Sequence, residues 1–319
     1  DFDKNFVWGC ATSSYQIEGA HNIDGKGPSI WDAFCSIPGK ITNNEHGNVA
    51  NDHYHRFKDD VKILKELGVD AYRFSISWAR ILPDGKGKVN EKGIEFYNNL
   101  IDELLENGIK PWVTLYHWDL PLALQLEHSG WLSRDTIKHF VHYAETCFKH
   151  FGDRVDNWIT FNEPWVVSIL GHGVGVFAPG RVSKSEPYLV AHHLILAHAE
   201  TVKVFRDNYK REGAKIGMSN NCDWREPLTN KNEDEIREKA KIVIERVELT
   251  KAVDKLPSEI SGGMQKRVAI ARAIVMNPKY LFCDEPNSGL DPKTAIVIDK
   301  LIQEITKEYN ITTIINSHD

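Results

Sequence analysis

Long apolar runs are missing from these 319 residues. None reaches the roughly eighteen residues that would cross a bilayer as a helix, so no direct membrane insertion is expected. Cysteine is scarce and unclustered. Its five copies (Cys10, Cys35, Cys147, Cys222 and Cys283) show no C-x-x-C spacing, which argues against a disulfide frame or zinc site and predicts reduced thiols in a cytoplasmic protein. Positive charge is not in surplus. The formal net charge of -6 sets aside a nucleic-acid partner. The opening Asp1-Phe2-Asp3-Lys4-Asn5-Phe6 lacks a charged-then-apolar leader, so no secretory signal is expected. What is present, 41% hydrophobic and 26% charged residues, suits a globular chain with a sizeable core. The length allows one large barrel or two ordinary domains.

Composition changes along the chain. All nine tryptophans and thirteen of the fourteen histidines lie before residue 225, and only Gly262, Gly263 and Gly289 follow it as glycines. Aromatic, His-rich text suits a concave carbohydrate site, where rings stack on sugars and imidazoles bond hydroxyls. The Lys/Glu/Ile/Val-rich text beyond suits helices and buried strands. The polar stretch Thr229–Glu235 is the best junction, dividing the chain into residues 1–229 and 230–319.

In the first segment strand-like runs alternate with helical periodicity. Runs at Phe6–Ala11, Ala71–Ser77, Pro111–Tyr116, Trp158–Phe161 and Lys215–Ser219 are separated by helical patterns. One such pattern is Asp52–Leu67, with Phe57, Val61, Leu64 and Leu67 on one face; others lie around Ile94–Leu105, from Ser133 toward Phe151, and near Tyr188–Tyr209. The alternation predicts an α/β fold with parallel strands. Polar residues after the strands (Arg73, His117-Trp118-Asp119, Asn162-Glu163) would then gather at strand C-terminal ends, where barrel chemistry sits.

The run Phe6-Val7-Trp8-Gly9-Cys10-Ala11-Thr12-Ser13-Ser14-Tyr15-Gln16-Ile17-Glu18-Gly19 resembles the N-terminal signature of family-one glycoside hydrolases, the β-glucosidases. Arg73–Trp78, Tyr116–Pro121, Thr160–Pro164 and Gly175–Gly180 match later motifs of that family in order. The resemblance implies a partial (β/α)8 TIM barrel of about five βα units. It also implies a retaining mechanism on a small-molecule β-glycoside, with two carboxyl groups about 5–5.5 Å apart and no cofactor. Glu163 matches the acid/base, a role that calls for a raised pKa. Asn162 matches the residue bonding the sugar 2-hydroxyl, Gln16, His117 and Trp118 match sugar-binding positions, and Arg73 matches the residue supporting the nucleophile. Asn-Glu-Pro alone would equally be a cap or turn, and a single His117 a structural histidine. The family's nucleophile sits in a Thr-Glu-Asn-Gly-like setting that these 319 residues do not contain, so little or no turnover is expected.

In the second segment, Leu256–Ala273 contains Ser261-Gly262-Gly263-Met264-Gln265 and resembles the signature motif of ATP-binding-cassette ATPases. Its Ser-Gly-Gly turn would open a helix whose N–H groups face a phosphate. Tyr280–Pro286 is similar to a Walker B strand, with Asp284 for Mg²⁺ and Glu285 polarising water. Ser288-Gly289-Leu290-Asp291 matches the D-loop and His318 the switch histidine. No G-x-x-x-x-G-K-[ST] loop occurs, so Mg-ATP binding would be weak in cis, and ATP would be met, if at all, in trans.

Three readings stay open: a glycosidase half joined to an ATPase fragment, an ABC transporter ATPase relative, and a non-enzymatic chimera. Glu285 is not expected to replace the glycosidase nucleophile, since sub-ångström placement would have to arise by accident.

Overall fold

The computed structural model describes residues 2–3, 6–221 and 233–316. The chain divides into two compact units, Asp1–Asp223 and Trp224–Asp319.

The first unit follows strand–helix alternation. In chain order come β1 (Gly9–Ala11), α1 (Ser14–Ile17), α2 (Ile30–Cys35), α3 (His53–Leu67), β2 (Ala71–Ser75), α4 (Trp78–Ile81), α5 (Glu91–Glu106), β3 (Lys110–Tyr116), α6 (Leu122–His128), α7 (Asp135–Phe151), β4 (Asn157–Asn162), α8 (Glu186–Val204) and β5 (Lys215–Ser219). The strands form one parallel sheet in the order β1-β2-β3-β4-β5, as crossovers through helices require. The register sets Arg73 opposite Trp112, Ser75 opposite Thr114 and Tyr116 opposite Phe161, so the strand ends line up. Helices wrap an aromatic core in which Trp78 stacks on Tyr143 with centroids 5.1 Å apart and Phe140 on Phe161 at 4.4 Å.

The second unit contains α9 (Glu233–Arg246), α10 (Gly262–Ile274), β6 (Tyr280–Asp284), α11 (Pro292–Glu308) and β7 (Thr312–Asn316). β6 and β7 pair in parallel as a separate two-stranded sheet. Its own core gathers Val247, Ile274, Leu281, Ile298, Ile302 and Ile305. Asp291 opens α11 by accepting the N–H groups of Lys293 and Thr294 at 3.1 Å, with Pro292 in the first helical position, where its missing N–H does no harm.

Two expectations need correction. The first strand does not begin at Phe6: the ladder to β2 starts with Gly9 opposite Ala71. The Trp8 N–H instead donates to Asp70 Oδ2 at 2.8 Å, and Phe2, Phe6 and Trp8 pack ring against ring. Leu67 does not share the buried face of α3 and is 66% exposed. Gly68, in the left-handed conformation, ends the helix there, and Val69 beyond it packs on the core. Ser133 does help to open α7, its hydroxyl accepting the Asp135 N–H at 3.2 Å.

Candidate active site

The C-terminal ends of β2, β3 and β4 bring a polar cluster together. Arg73 on β2 reaches across the sheet. Its Nε donates to Thr114 Oγ1 on β3 at 2.9 Å, Nη2 to Asn162 Oδ1 on β4 at 2.5 Å, and Nη1 to Ser219 Oγ on β5 at 3.5 Å. Burial lowers the pKa of this guanidinium and the nearby Glu163 carboxylate raises it; the group stays charged, since arginine does not lose its proton in proteins.

Asn162 is the hub. Because Arg73 only donates and a carboxylate only accepts, the amide is oriented with Oδ1 toward Arg73 and Nδ2 toward Glu163. Nδ2 lies 3.3 Å from Glu163 Oε2 and 3.2 Å from His117 Nε2, and the Asn162 carbonyl accepts the Trp118 indole N–H at 3.0 Å. Burial first, and the Arg73 charge second, push His117 down to about 3. The ring is therefore neutral, and an Nε2 that accepts from Asn162 puts the proton on Nδ1.

Backbone geometry aims the two principal side chains. Trp118 has φ of 71° and Glu163 of 48°, both in the left-handed region that non-glycine residues rarely occupy. The Glu163 N–H donates to the Ser219 carbonyl at 2.7 Å, next to an irregularity in the β4–β5 register. Beside this cluster opens a cleft of about 500 Å³ lined by Gln16, His117 and Trp118 together with Tyr15, Trp31 and Phe177. Gln16 is exposed on α1, its Oε1 accepting from Ser13 Oγ at 2.6 Å. Rings beside convergent polar groups suit a sugar, which offers apolar C–H faces and hydroxyl edges. Tyr15 and Phe177 lie inside motifs read from the sequence, the N-terminal signature and Gly175–Gly180, without having been given a site role, and Trp31 lies outside both.

The profile of Glycosyl hydrolase family 1 matches residues 1–251. The chain belongs to that family. The match continues past the composition change near residue 229. Beta-glucosidase 42 of Arabidopsis thaliana is 55% identical over 240 residues, 74% of this chain and 49% of its own length. Beta-glucosidase A of Thermotoga maritima is 54% identical over 233 residues, 73% of this chain and 52% of its own. This family member thus spans about half the length of the relatives it matches. Among solved structures, rice Os3BGlu6 beta-glucosidase aligns with a TM-score of 0.70 at 41% identity, over 94% of this chain and 62% of that one. The Thermotoga maritima beta-glucosidase in complex with noeuromycin gives 0.69 at 43% identity, over 89% and 65%. The α/β fold matches part of the β-glucosidase TIM barrel.

The sequence-predicted residues of the second unit occupy the ends of its elements. Ser261 caps α10, its hydroxyl accepting the Met264 N–H at 3.3 Å, with Gly262 and Gly263 in the first turn and Gln265 just beyond. Asp284 ends β6 and Glu285 directly follows it. Asn316 Nδ2 donates to Asp284 Oδ1 at 2.8 Å, and Lys266 Nζ to the Glu285 carbonyl at 3.0 Å. Asp291 is engaged as the α11 cap, and Thr294 holds its pKa below the ordinary value. His318 lies outside the described residues.

Proposed function

We propose that the first unit is the acid/base half of a retaining β-glycosidase site that takes small β-glycosides. The observation that carries this is the hydrogen-bonded cluster of Arg73, Asn162, Glu163 and His117, joined through His117 to an aromatic cleft. Glu163 gives its proton to the leaving glycosidic oxygen, then takes one from the water that releases the sugar. Asn162, its Oδ1 held by Arg73, turns the Nδ2 hydrogen now shared with His117 to the sugar 2-hydroxyl, a contact that strengthens in the transition state. His117 Nε2, so released, accepts from another hydroxyl, Gln16 bonds a further one, and Trp118 supplies a stacking face.

No Thr-Glu-Asn-Gly sequence occurs in these 319 residues. The chain by itself is therefore proposed to bind glycosides and turn them over at or near background, as removal of a catalytic nucleophile costs several orders of magnitude. Calorimetric titration with deoxynojirimycin and an aryl β-glucoside assay test this. Saturable binding with negligible hydrolysis is expected. Absence of binding sinks the site reading, and hydrolysis within about tenfold of Beta-glucosidase A that vanishes in Glu163→Gln sinks the argument about turnover.

A second reading concerns residues 230–319, proposed as an ABC-type ATPase fragment. It is supported by a Ser-capped, Gly-rich helix start linked through Lys266 to the strand end bearing Asp284 and Glu285. The exposed Asp284 carboxylate suits a hydrated Mg²⁺. Mg-ATP turnover lost in Glu285→Gln would support it; silence in both assays with a cooperative melt would favour a non-enzymatic chimera.

A further inference from the structure

Next to the open cleft, and sharing Tyr15 and Gly47 with it, lies a small, partly enclosed cavity of about 10 Å³ among Ser14, Glu18, Lys26, Asp32, Ser77 and Asp119. That is the room of one water-sized sphere. Three oxygens around it, Asp119 Oδ1, Asp32 Oδ1 and Ser77 Oγ, are buried without a hydrogen-bond partner, and Asp119 and Ser77 are each only 2% exposed. A buried polar atom without a partner is unfavourable. Buried oxygens of this kind are commonly served by an internal water.

The same Asp119 faces the sugar-binding elements on its other side. Its Oδ2 accepts from Ser14 Oγ at 2.8 Å, while the Ser14 N–H donates to Ser75 Oγ at 2.7 Å and that hydroxyl donates back to Ser14 Oγ at 3.2 Å. Ser14 opens α1, which carries Gln16, and Asp119 directly follows Trp118. A buried chain of hydrogen bonds thus joins the turn after β1 to the loop after β3.

We propose that the cavity is a built site for one water, and that Asp119 with this water is a positioning residue locking the Gln16 turn to the His117–Trp118 loop. Its consequence for sugar binding rests on the glycosidase reading; the lock itself does not. Burial raises Asp119 to about 7, opposed by the Ser14 hydrogen bond. The charged and titratable groups around it are Glu18 and Lys26, Tyr116 at the end of β3 and Tyr143 on α7, with Tyr15, His21 and Asp32 lining the same cavity.

The test uses the full chain with ¹⁵N-labelled tryptophan. The Trp118 indole N–H, which bonds the Asn162 carbonyl, is followed by NMR from pH 5.5 to 8.5. In the wild type its signal should move with a midpoint near neutrality; in Asp119→Asn it should be displaced and pH-independent. In Ser14→Ala, which removes the bond that holds the carboxyl down, the midpoint should rise. A Trp118 signal with unchanged position and titration in Asp119→Asn, the other indoles being in place, overturns the proposal. If Asp119→Asn does not fold, an unchanged midpoint in Ser14→Ala does so alone. Equal melting temperatures in sodium and choline chloride support water, and a sodium-dependent rise overturns it in favour of a cation. Deoxynojirimycin binding, measured separately, should weaken at least tenfold in Asp119→Asn. A wild type that does not bind it at all defeats the glycosidase reading, while the indole signals still decide the lock.

Discussion

Replacing Arg80 by methionine should be among the most damaging single changes to the first unit. Arg80 is 1% exposed and Glu18 4%. The guanidinium meets Glu18 Oε2 through Nη2 at 3.0 Å and Nε at 3.1 Å, donates to the Gly19 carbonyl at 3.3 Å, and lies 4.3 Å from the centre of the Tyr54 ring. The other Glu18 oxygen accepts from Tyr97 at 2.5 Å. Without Arg80 the carboxylate keeps the tyrosine and loses its counter-charge in a place shielded from bulk solvent. Breaking one side of such a pair is destabilising by about 3–5 kcal/mol, against a total stability of about 5–15 kcal/mol. Adding Glu18→Gln removes the stranded charge, so the double variant should recover about 1–3 kcal/mol relative to simple addition. Urea titration followed by tryptophan fluorescence measures this, since eight of the nine tryptophans lie in the first unit. A loss under about 1 kcal/mol for Arg80→Met, or full additivity in the cycle, would refute the reasoning.

Three further outcomes follow from the same structure. His117, with a folded value near 3 below its unfolded value of about 6.5, should show no imidazole titration from pH 5 to 9 in long-range ¹H–¹⁵N NMR spectra. Its contribution to stability is then complete above about pH 6.5 and declines as pH falls toward about 3; a titration near 6.5 in the folded protein would contradict this. Gly19→Ala should sharply lower the melting temperature, because Gly19 has φ of 64° and an added Cβ would meet the Val49 carbonyl oxygen at 2.1 Å. Ser261→Ala, removing the α10 cap, should lower second-unit stability by about 0.5–2 kcal/mol, read by far-ultraviolet circular dichroism; no change would mean that the cap bond does not contribute.

Much of the layout was legible because apolar runs and helical periodicity are local. β5 spans the same Lys215–Ser219 read from sequence, and β4 extends that reading by one residue at each end. Phe6–Trp8 misled because apolar residues there pair with one another instead of extending the ladder. The members of the site cluster were legible as motif residues, but their mutual bonds were not. Arg73 reached attention as a support for a nucleophile, whereas its observed partners are Thr114, Asn162 and Ser219. Those contacts depend on strand register, which one strand's sequence does not carry. The Asp119–Ser14 bond joins residues 105 positions apart, with no periodic pattern to announce it.

Trp118 and Glu163 occupy backbone conformations natural to glycine, and this has a price in resilience. Each such residue holds about 1–2 kcal/mol of tension. Glu163→Gly would release that tension, against the greater freedom glycine gives the unfolded chain, and would remove the proposed acid/base. Screening variants by heat tolerance alone would therefore place no value on the side chains that these two conformations aim.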